Sequence, residues 1–452
     1  MNLNTKPNRA PKFSTLYTDE AEFNYQRDSL PIPQQEPNAA ARTEASQKFE
    51  QFSIDRKLPK GFSMRNFGLE IAKNISGKIV SEHEGMIDFM LISVPRDNKP
   101  IDFLDARHFS ALFKGLGTWV KYVVVCDPKQ QKSIIDLAAA AGIPANSLTF
   151  ALSPRFNYSI WAQDAYVAIN DPAGTMILCE GISFPRYEDM TIADDVAAQS
   201  DDVSVLQSYL YFQGGNVLGS GSTTMIGMDY VERNTRRFRL PDIDAVKDHF
   251  SQLFGTDILP LGGRKSGEYP WYAAGKLSGY GFQPIFHIDM YVTPTGILGA
   301  SGKEIVFLGR PEAAKNAVGK YSDIPELNNP KYNSFFDETE AILATKFEVR
   351  YLPLWLTQGT LGLPTDPRYY NLTFNNCIVQ NTAAVKRVLL PSYSQDSADY
   401  GVDEQLRKQL ELAAENEWKN LGYEVAWMDG VEDLAFNSGA VHCITKTLRR
   451  KA

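Results

Sequence analysis

The sequence predicts an α/β protein assembled from a strand, strand, helix, strand unit repeated about five times. Two observations predict it. From about Asp88 onward, β-branched and aromatic runs of strand length alternate with stretches of helical composition. Ionisable residues, which a buried strand carries only for cause, recur in three strand-like stretches far apart in the chain. The 452 residues allow one large domain or two to three ordinary ones. The repeat favours one large closed architecture.

In order along the chain, the first eighty or so residues differ from the rest. "LPIPQQEPNAAARTEASQ" is rich in Pro, Gln and Ala, so residues 1–85 are expected to form a partly irregular extension wrapping a body over 86–452. "MIDFMLISVP" and "WVKYVVVCD" follow as strands, then the helical "KQQKSIIDLAAAAG", ended by Gly142. "SLTFALSP", "IWAQDAYVAIND" and "TMILCEGIS" read as strands, roughly 191 to 210 as a helix, and "YFQGGNVLGSG" and "STTMIGMDY" as strands again. "DIDAVKDHFSQLFG" is helical and leads to "TDILPLGG". Then come "IFHIDMYVTP", "EIVFLG", the helical "FFDETEAILATKF" and "EVRYLPLW". The last cycle is "YYNLTFNNCIV", "KRVLLPSY", a helix near 403 to 421, "YEVAWMDG" and "GAVHCITKTL". In that helix Leu406, Leu410, Ala413, Ala414 and Leu421 form one apolar face.

Composition excludes several function classes. A net charge of −8 and 43% apolar residues argue against a nucleic-acid partner and against disorder. The basic "KTLRRK" is expected to be a solvated tail. The opening "MNLNTKPNRAPKFS" lacks an apolar signal segment, and no stretch approaches eighteen apolar residues, so the expected compartment is the cytoplasm with no membrane partner. Cys126, Cys179, Cys377 and Cys443 are scattered with no CxxC pair, which fits neither a disulfide framework nor a zinc site. The first three sit in apolar runs and read as buried. "GSGST" lacks the spacing of a phosphate loop and reads as a turn.

The three polar stretches are "IWAQDAY" with Asp164, "FHIDMY" with His287 and Asp289, and "VHCIT" with His442 and Cys443. In a strand, His287 and Asp289 share a face. His83, His108, His249, His287 and His442 are the only histidines, with no HxH or HExxH pair, so a metal site is not expected. Cys443 is either part of a closing core strand or a nucleophile. As a nucleophile it would have a histidine for proton transfer and two aspartates to spare, and two carboxylates suit a guanidinium fork.

"IWAQDAY", "FQGGNVLGSGSTTM", "FHIDMYVT" and "SGAVHCITKT", in this order, resemble the guanidino-group modifying superfamily, closest to its agmatine deiminase and protein-arginine deiminase branches. The resemblance spans about residues 90 to 452. It implies a pentein, a five-bladed pseudosymmetric α/β propeller of ββαβ units, with 86–452 as a single catalytic domain. It also implies hydrolytic deimination of a guanidine to a ureido product and ammonia through a cysteine thiouronium adduct. Cys443 would be the nucleophile, His287 the general acid and base, and Asp164 and Asp289 the guanidinium-holding carboxylates. Trp161, Gln213, Gly214, Gly215 and Asn216 would surround the substrate.

No cofactor or calcium is implied, and the expected partner is a small guanidine or an arginine-containing peptide. Agmatine deiminases usually carry Glu where this chain has Gln213, and Arg where it has Gln163. A glutamine supplies no negative charge to a guanidinium. An amidinotransferase working through the same adduct, or a silent guanidine- or protein-binding pentein, would share the pattern. His442, turned away by strand alternation, is expected to be structural.

Overall fold

The computed structural model describes residues 77–451 apart from 96–102, 154–157, 173, 183–185, 239–241, 264–268, 274–275, 325–329, 360–367 and 395–401. Residues 1–76 of the expected extension lie outside them. The chain opens with strands β1 (Lys78–Ile79) and β2 (Met86–Ser93), helix α1 (Phe103–Leu116), β3 (Lys121–Cys126), α2 (Gln131–Ala140) and β4 (Leu148–Leu152). It continues through β5 (Tyr166–Asn170), β6 (Met176–Glu180), α3 (Tyr187–Ala197) and β7 (Val203–Gln207). Next are β8 (Val217–Ser220), β9 (Thr223–Gly227), α4 (Met228–Phe238), α5 (Ile243–Phe254) and β10 (Asp257–Leu261), then a hairpin of β11 (Tyr269–Ala273) and β12 (Lys276–Gly281). β13 (Val292–Leu298), β14 (Glu304–Arg310), α6 (Pro311–Val318), α7 (Pro330–Ala344), β15 (Glu348–Gly359) and β16 (Arg368–Thr373) follow. The chain ends with β17 (Ile378–Asn381), β18 (Lys386–Ser392), α8 (Glu404–Asn420), β19 (Glu424–Asp429), α9 (Glu432–Phe436) and β20 (Lys446–Lys451).

One pairing scheme recurs in five sheets. A first strand pairs antiparallel with a second, which pairs parallel with a third reached through a helix. The triplets are β5, β6, β7; β8, β9, β10; β13, β14, β15; β17, β18, β19; and β20, β2, β3. In the last triplet the C-terminal strand supplies the first position of the sheet that β2 begins. Central strands such as "KYVVVC" in β3 are almost wholly buried, as expected for strands covered on both faces.

The helices follow their capping chemistry. Asp242 accepts from the Ala245 amide at the start of α5, and Gly255 ends that helix in the left-handed region at φ 68°. Asp403 caps α8 in the same way, and the helix buries Leu410, Ala414 and Trp418 at four-residue spacing. Trp418 packs edge-on to Phe307 and Tyr423 in the main core. Among the described residues no helix is long and apolar enough to cross a membrane.

The structure corrects several expectations. The helix expected to 210 stops at Ala197, and Val203–Gln207 is a strand because its β-branched residues complete a sheet. "MDY" after β9 starts helix α4 rather than extending the strand. "KTLRRK" is not a solvated tail. It is β20, with Lys446 buried and with Arg449 and Lys451 both paired to Asp88. Residues 77–85, expected within the extension, run across the units: β1 pairs with β5, Ser81 bridges to Gly219, and Glu84 and Gly85 bridge to Asn381.

Candidate active site

The motif residues do not lie in strands as the sequence suggested; they lie in tight turns just ahead of the first strand of each unit. Asp164 sits in a turn before β5, Gly214–Asn216 form a 3-10 turn before β8, and Ile288–Met290 form another before β13. Asn376 precedes β17, and His442 and Cys443 lie in the turn before β20. Strand alternation therefore does not govern residues 442 and 443, and both side chains reach the same site.

Asp289 is where the turns meet. Its Oδ2 lies 2.9 Å from His442 Nδ1 and accepts from the Cys443 thiol at 3.5 Å. Asn376 donates from Nδ2 to Cys443 Sγ at 3.1 Å, while its Oδ1 accepts from the backbone amides of His442 and Cys443 at 2.9 and 3.2 Å. One asparagine thus fixes the turn that presents the thiol. The opposite carboxylate, Asp164, accepts through Oδ2 from Arg186 at 2.8 Å, and Arg186 is held in turn by Asp189 at 2.6 Å.

His287 stands between the two aspartates, its Nδ1 3.6 Å from Asp164 Oδ1. Its Nε2 is 2.9 Å from Gln213 Oε1 and 3.2 Å from the Tyr230 hydroxyl. Gln213 donates from its own amide nitrogen to Tyr211, so its oxygen is left to accept from His287 Nε2–H, and Nδ1 becomes the proton-accepting atom facing the site. Gln213 is thus a partner of the histidine, set behind it. Phe286 stacks on the other side of the imidazole with ring centroids 3.9 Å apart.

Gly214 lets the backbones cross: a Cβ there would lie 1.9 Å from the Gln163 carbonyl oxygen. Gly215 leaves the central space. A Cβ on it would fall 2.4 Å from His287 Nδ1, 3.1 Å from Asp164 Oδ1 and 3.2 Å from Asp289 Oδ2. Asn216 is a scaffold, accepting from the Ile288 amide at 3.0 Å and donating to Asp229 at 2.9 Å. Trp161 lies buried against Gly439.

Asp164 Oδ1 and Asp289 Oδ1 are both buried with no hydrogen-bond partner. Such orphaned acceptors are costly and mark places where a donor belongs. Burial, with the charges of Asp289 and Asp164, pushes the Cys443 thiol well above its ordinary value. Burial lowers His287 despite the two aspartates. Burial works against a proton on His442 too, but the Glu82 charge and the hydrogen bonds to Asp289 and Glu82 outweigh it, and the imidazole is raised to about 9. Among the described residues no three His, Cys, Asp or Glu side chains form a metal-ligand cluster.

No family model matches the sequence, and no curated protein matches it. Solved structures do match. One is provisionally described as a peptidyl-arginine deiminase, with 14% identity and a TM-score of 0.57, covering 83% of this chain and 99% of that one. A second, provisionally described as an agmatine deiminase, has 14% identity and a TM-score of 0.55 over 83% of this chain and 97% of its own. A third is a cysteine-to-serine agmatine deiminase of C. jejuni with substrate bound, at 13% identity and TM-score 0.54, with 83% and 97% covered. The chain has the fold of the agmatine deiminases. That is the fold of the guanidino-group modifying superfamily that the four motifs resemble, and at these identities the likeness concerns the fold alone.

Within this fold, His287, Asp164 and Asp289 converge on the gap at Gly215 and Cys443 lies against the same Asp289 oxygen; all four were named from the sequence. Four contributors were not legible: Asn376, Arg186, Glu82 and Tyr230. Asn376 had a signal, since "NNC" occupies the slot ahead of β17 that "VHC" occupies ahead of β20. Arg186 had none, because only the approach of α3 to the β5 turn brings it to Asp164.

Proposed function

We propose that this chain is a hydrolytic deiminase of a guanidine group, with Cys443 as nucleophile, His287 as general acid and base, and Asp164 and Asp289 as the carboxylates that hold the cation. The observation that carries the reading is that Asp164 Oδ1, Asp289 Oδ2 and His287 Nδ1 surround the Gly215 gap, the Cys443 thiol lies on that same Asp289 oxygen, and the Oδ1 atom of each aspartate is buried without a hydrogen-bond partner. A planar cation with N–H donors on two edges satisfies both oxygens at once, which a point-like ammonium does not.

In the empty site the raised thiol and the lowered imidazole favour the neutral pair. A bound guanidinium brings positive charge next to Sγ and favours loss of the thiol proton, which passes to His287 Nδ1. The thiolate then adds to the guanidine carbon, forming the S–C bond and a neutral tetrahedral adduct. His287 returns its proton to one amino nitrogen, the C–N bond breaks, and ammonia leaves a thiouronium cation on Cys443. Water adds to that carbon as His287 takes its proton. Collapse forms the C=O bond and expels the thiolate; the remaining proton goes to ammonia, giving ammonium and the ureido product. Gln213 and Tyr230 hold the imidazole so that one nitrogen does both transfers.

The same reading includes a five-bladed pentein arrangement of the five units in one catalytic domain that takes in residues 77–85 as well as 86–452, and a cytoplasmic location. The likeness in fold to structures described as agmatine and peptidyl-arginine deiminases supports it. The test is to incubate the protein with agmatine, free arginine and an arginine-containing peptide and to measure ammonia and ureido product, with Cys443→Ala alongside. Product from one substrate that disappears in a folded Cys443→Ala supports the reading and names the substrate. Activity near that of the parent in the variant overturns it. Guanidino transfer to an added amine without ammonia would make the enzyme an amidinotransferase.

A further inference from the structure

The two carboxylates are supported in matching ways. Asp164 gives its Oδ2 to Arg186, which is balanced by Asp189, and Asp289 gives its Oδ2 to His442, which is balanced by Glu82. In each case Oδ1 is left without a hydrogen-bond partner. The cations differ in kind. A guanidinium stays charged at any pH a protein survives, whereas an imidazole can lose its proton. The titratable cation is the one beside the nucleophile, because Asp289 Oδ2 is shared by His442 Nδ1 and the Cys443 thiol.

We infer that His442 is a positioning residue that acts through Asp289: held as a cation between Asp289 and Glu82, it governs how readily the Cys443 thiol ionises. This rests on the reading of Cys443 as nucleophile. The geometry is specific. His442 Nδ1 is 2.9 Å from Asp289 Oδ2 and Nε2 is 3.0 Å from Glu82 Oε2, so both ring nitrogens donate and the ring is the doubly protonated form. His442 is buried, which prevents water from screening the pair.

Several charged groups act on this arrangement. Glu82 precedes β2, Asp289 lies in the turn before β13, and Asp164 lies in the turn before β5. Lys446 and Arg450 of β20 act on Glu82, and the His287 imidazole feels the His442 charge. With His442 charged, Asp289 is partly neutralised and opposes a thiolate less. Once His442 loses its proton, near pH 9, Asp289 opposes it fully.

The test needs no substrate. The rate at which iodoacetamide modifies Cys443 in the full chain is followed against pH, with peptide mapping to separate it from the other three cysteines. In His442→Gln, which keeps a hydrogen-bonding side chain but no charge, Cys443 is expected to react about tenfold or more slowly near neutral pH, the low end of what one adjacent charge does. In Glu82→Gln the imidazole loses its balancing charge, and the break in the profile is expected to move from near pH 9 toward neutrality. Glu82→Gln carries the test alone if His442→Gln does not fold.

A folded His442→Gln that reacts like the parent overturns the inference, as does a Glu82→Gln profile that superimposes on the parent's. A Cys443 that reacts in no variant at any pH overturns it too, since no thiolate would then form for His442 to govern. Failure to hydrolyse any guanidine alters none of these readings, so the two ideas fail separately.

Discussion

Replacing Gly215 by alanine is the sharpest test of where the substrate sits. The added methyl would lie 2.4 Å from His287 Nδ1, 3.1 Å from Asp164 Oδ1 and 3.2 Å from Asp289 Oδ2, so the imidazole must retreat by about 1 Å to restore van der Waals contact. It has little freedom to do so. Gln213 and Tyr230 hold its Nε2, and Phe286 stacks on its face. The aspartates are tied to Arg186 and His442. Overpacking of this kind costs about 1–3 kcal/mol of stability. Displacing a catalytic group by about 1 Å costs about a hundredfold in turnover. The assays are urea unfolding and, under the proposed function, kcat/KM on whichever guanidine yields product with the parent. A folded Gly215→Ala within about threefold of the parent's kcat/KM would refute the reasoning, because the gap would then not be the guanidinium site.

Two further outcomes are expected. His442 is raised from 6.5 to about 9 on folding, so its proton stabilises the fold fully below about pH 6.5, and that contribution, about 3 kcal/mol, is lost as pH rises to about 9. Denaturation midpoints across that window should fall more steeply for the parent than for His442→Gln; parallel curves would contradict the ion-paired ring. Gln213→Glu places a carboxylate on His287 Nε2 and is expected to raise that imidazole by about one to three pH units, read by NMR of the ring in the free protein. An unmoved titration would show that Gln213 is not the partner that sets this histidine.

The sequence carried the fold's repeat and the four groups that the structure brings together because each leaves a local trace: strand-length apolar runs for the sheets, and ionisable residues in apolar company for the site. Turns were harder to read. "FHIDMY" and "VHCIT" have strand composition, yet each folds as a turn ahead of a strand, since its side chains must converge on a shared point rather than alternate across a sheet. The misreading of the direction in which His442 points followed directly from that. The supporting charges were invisible for a different reason. Glu82 meets His442 across 360 positions and Arg186 meets Asp164 across 22, and neither pairing leaves a spacing in the sequence. The basic ending was misread because solvation is the default for such a run, whereas here Asp88 and the neighbouring strand claim it.

The closure of the last sheet also bears on how the site is held together. β20 pairs with β2, and the ion pair of Arg449 with Asp88 joins residues 361 positions apart. Drawing together the ends of a segment that long costs about 5 kcal/mol in chain entropy beyond a constant term. Contacts of such range form late in folding. The thiol rides on the turn directly before that strand, so its position depends on a pairing made across most of the described chain. Trimming β20 therefore leaves Cys443 in the chain but removes the strand that anchors its turn, so under the proposed function such a fragment is expected to lose activity while keeping all four groups of the site.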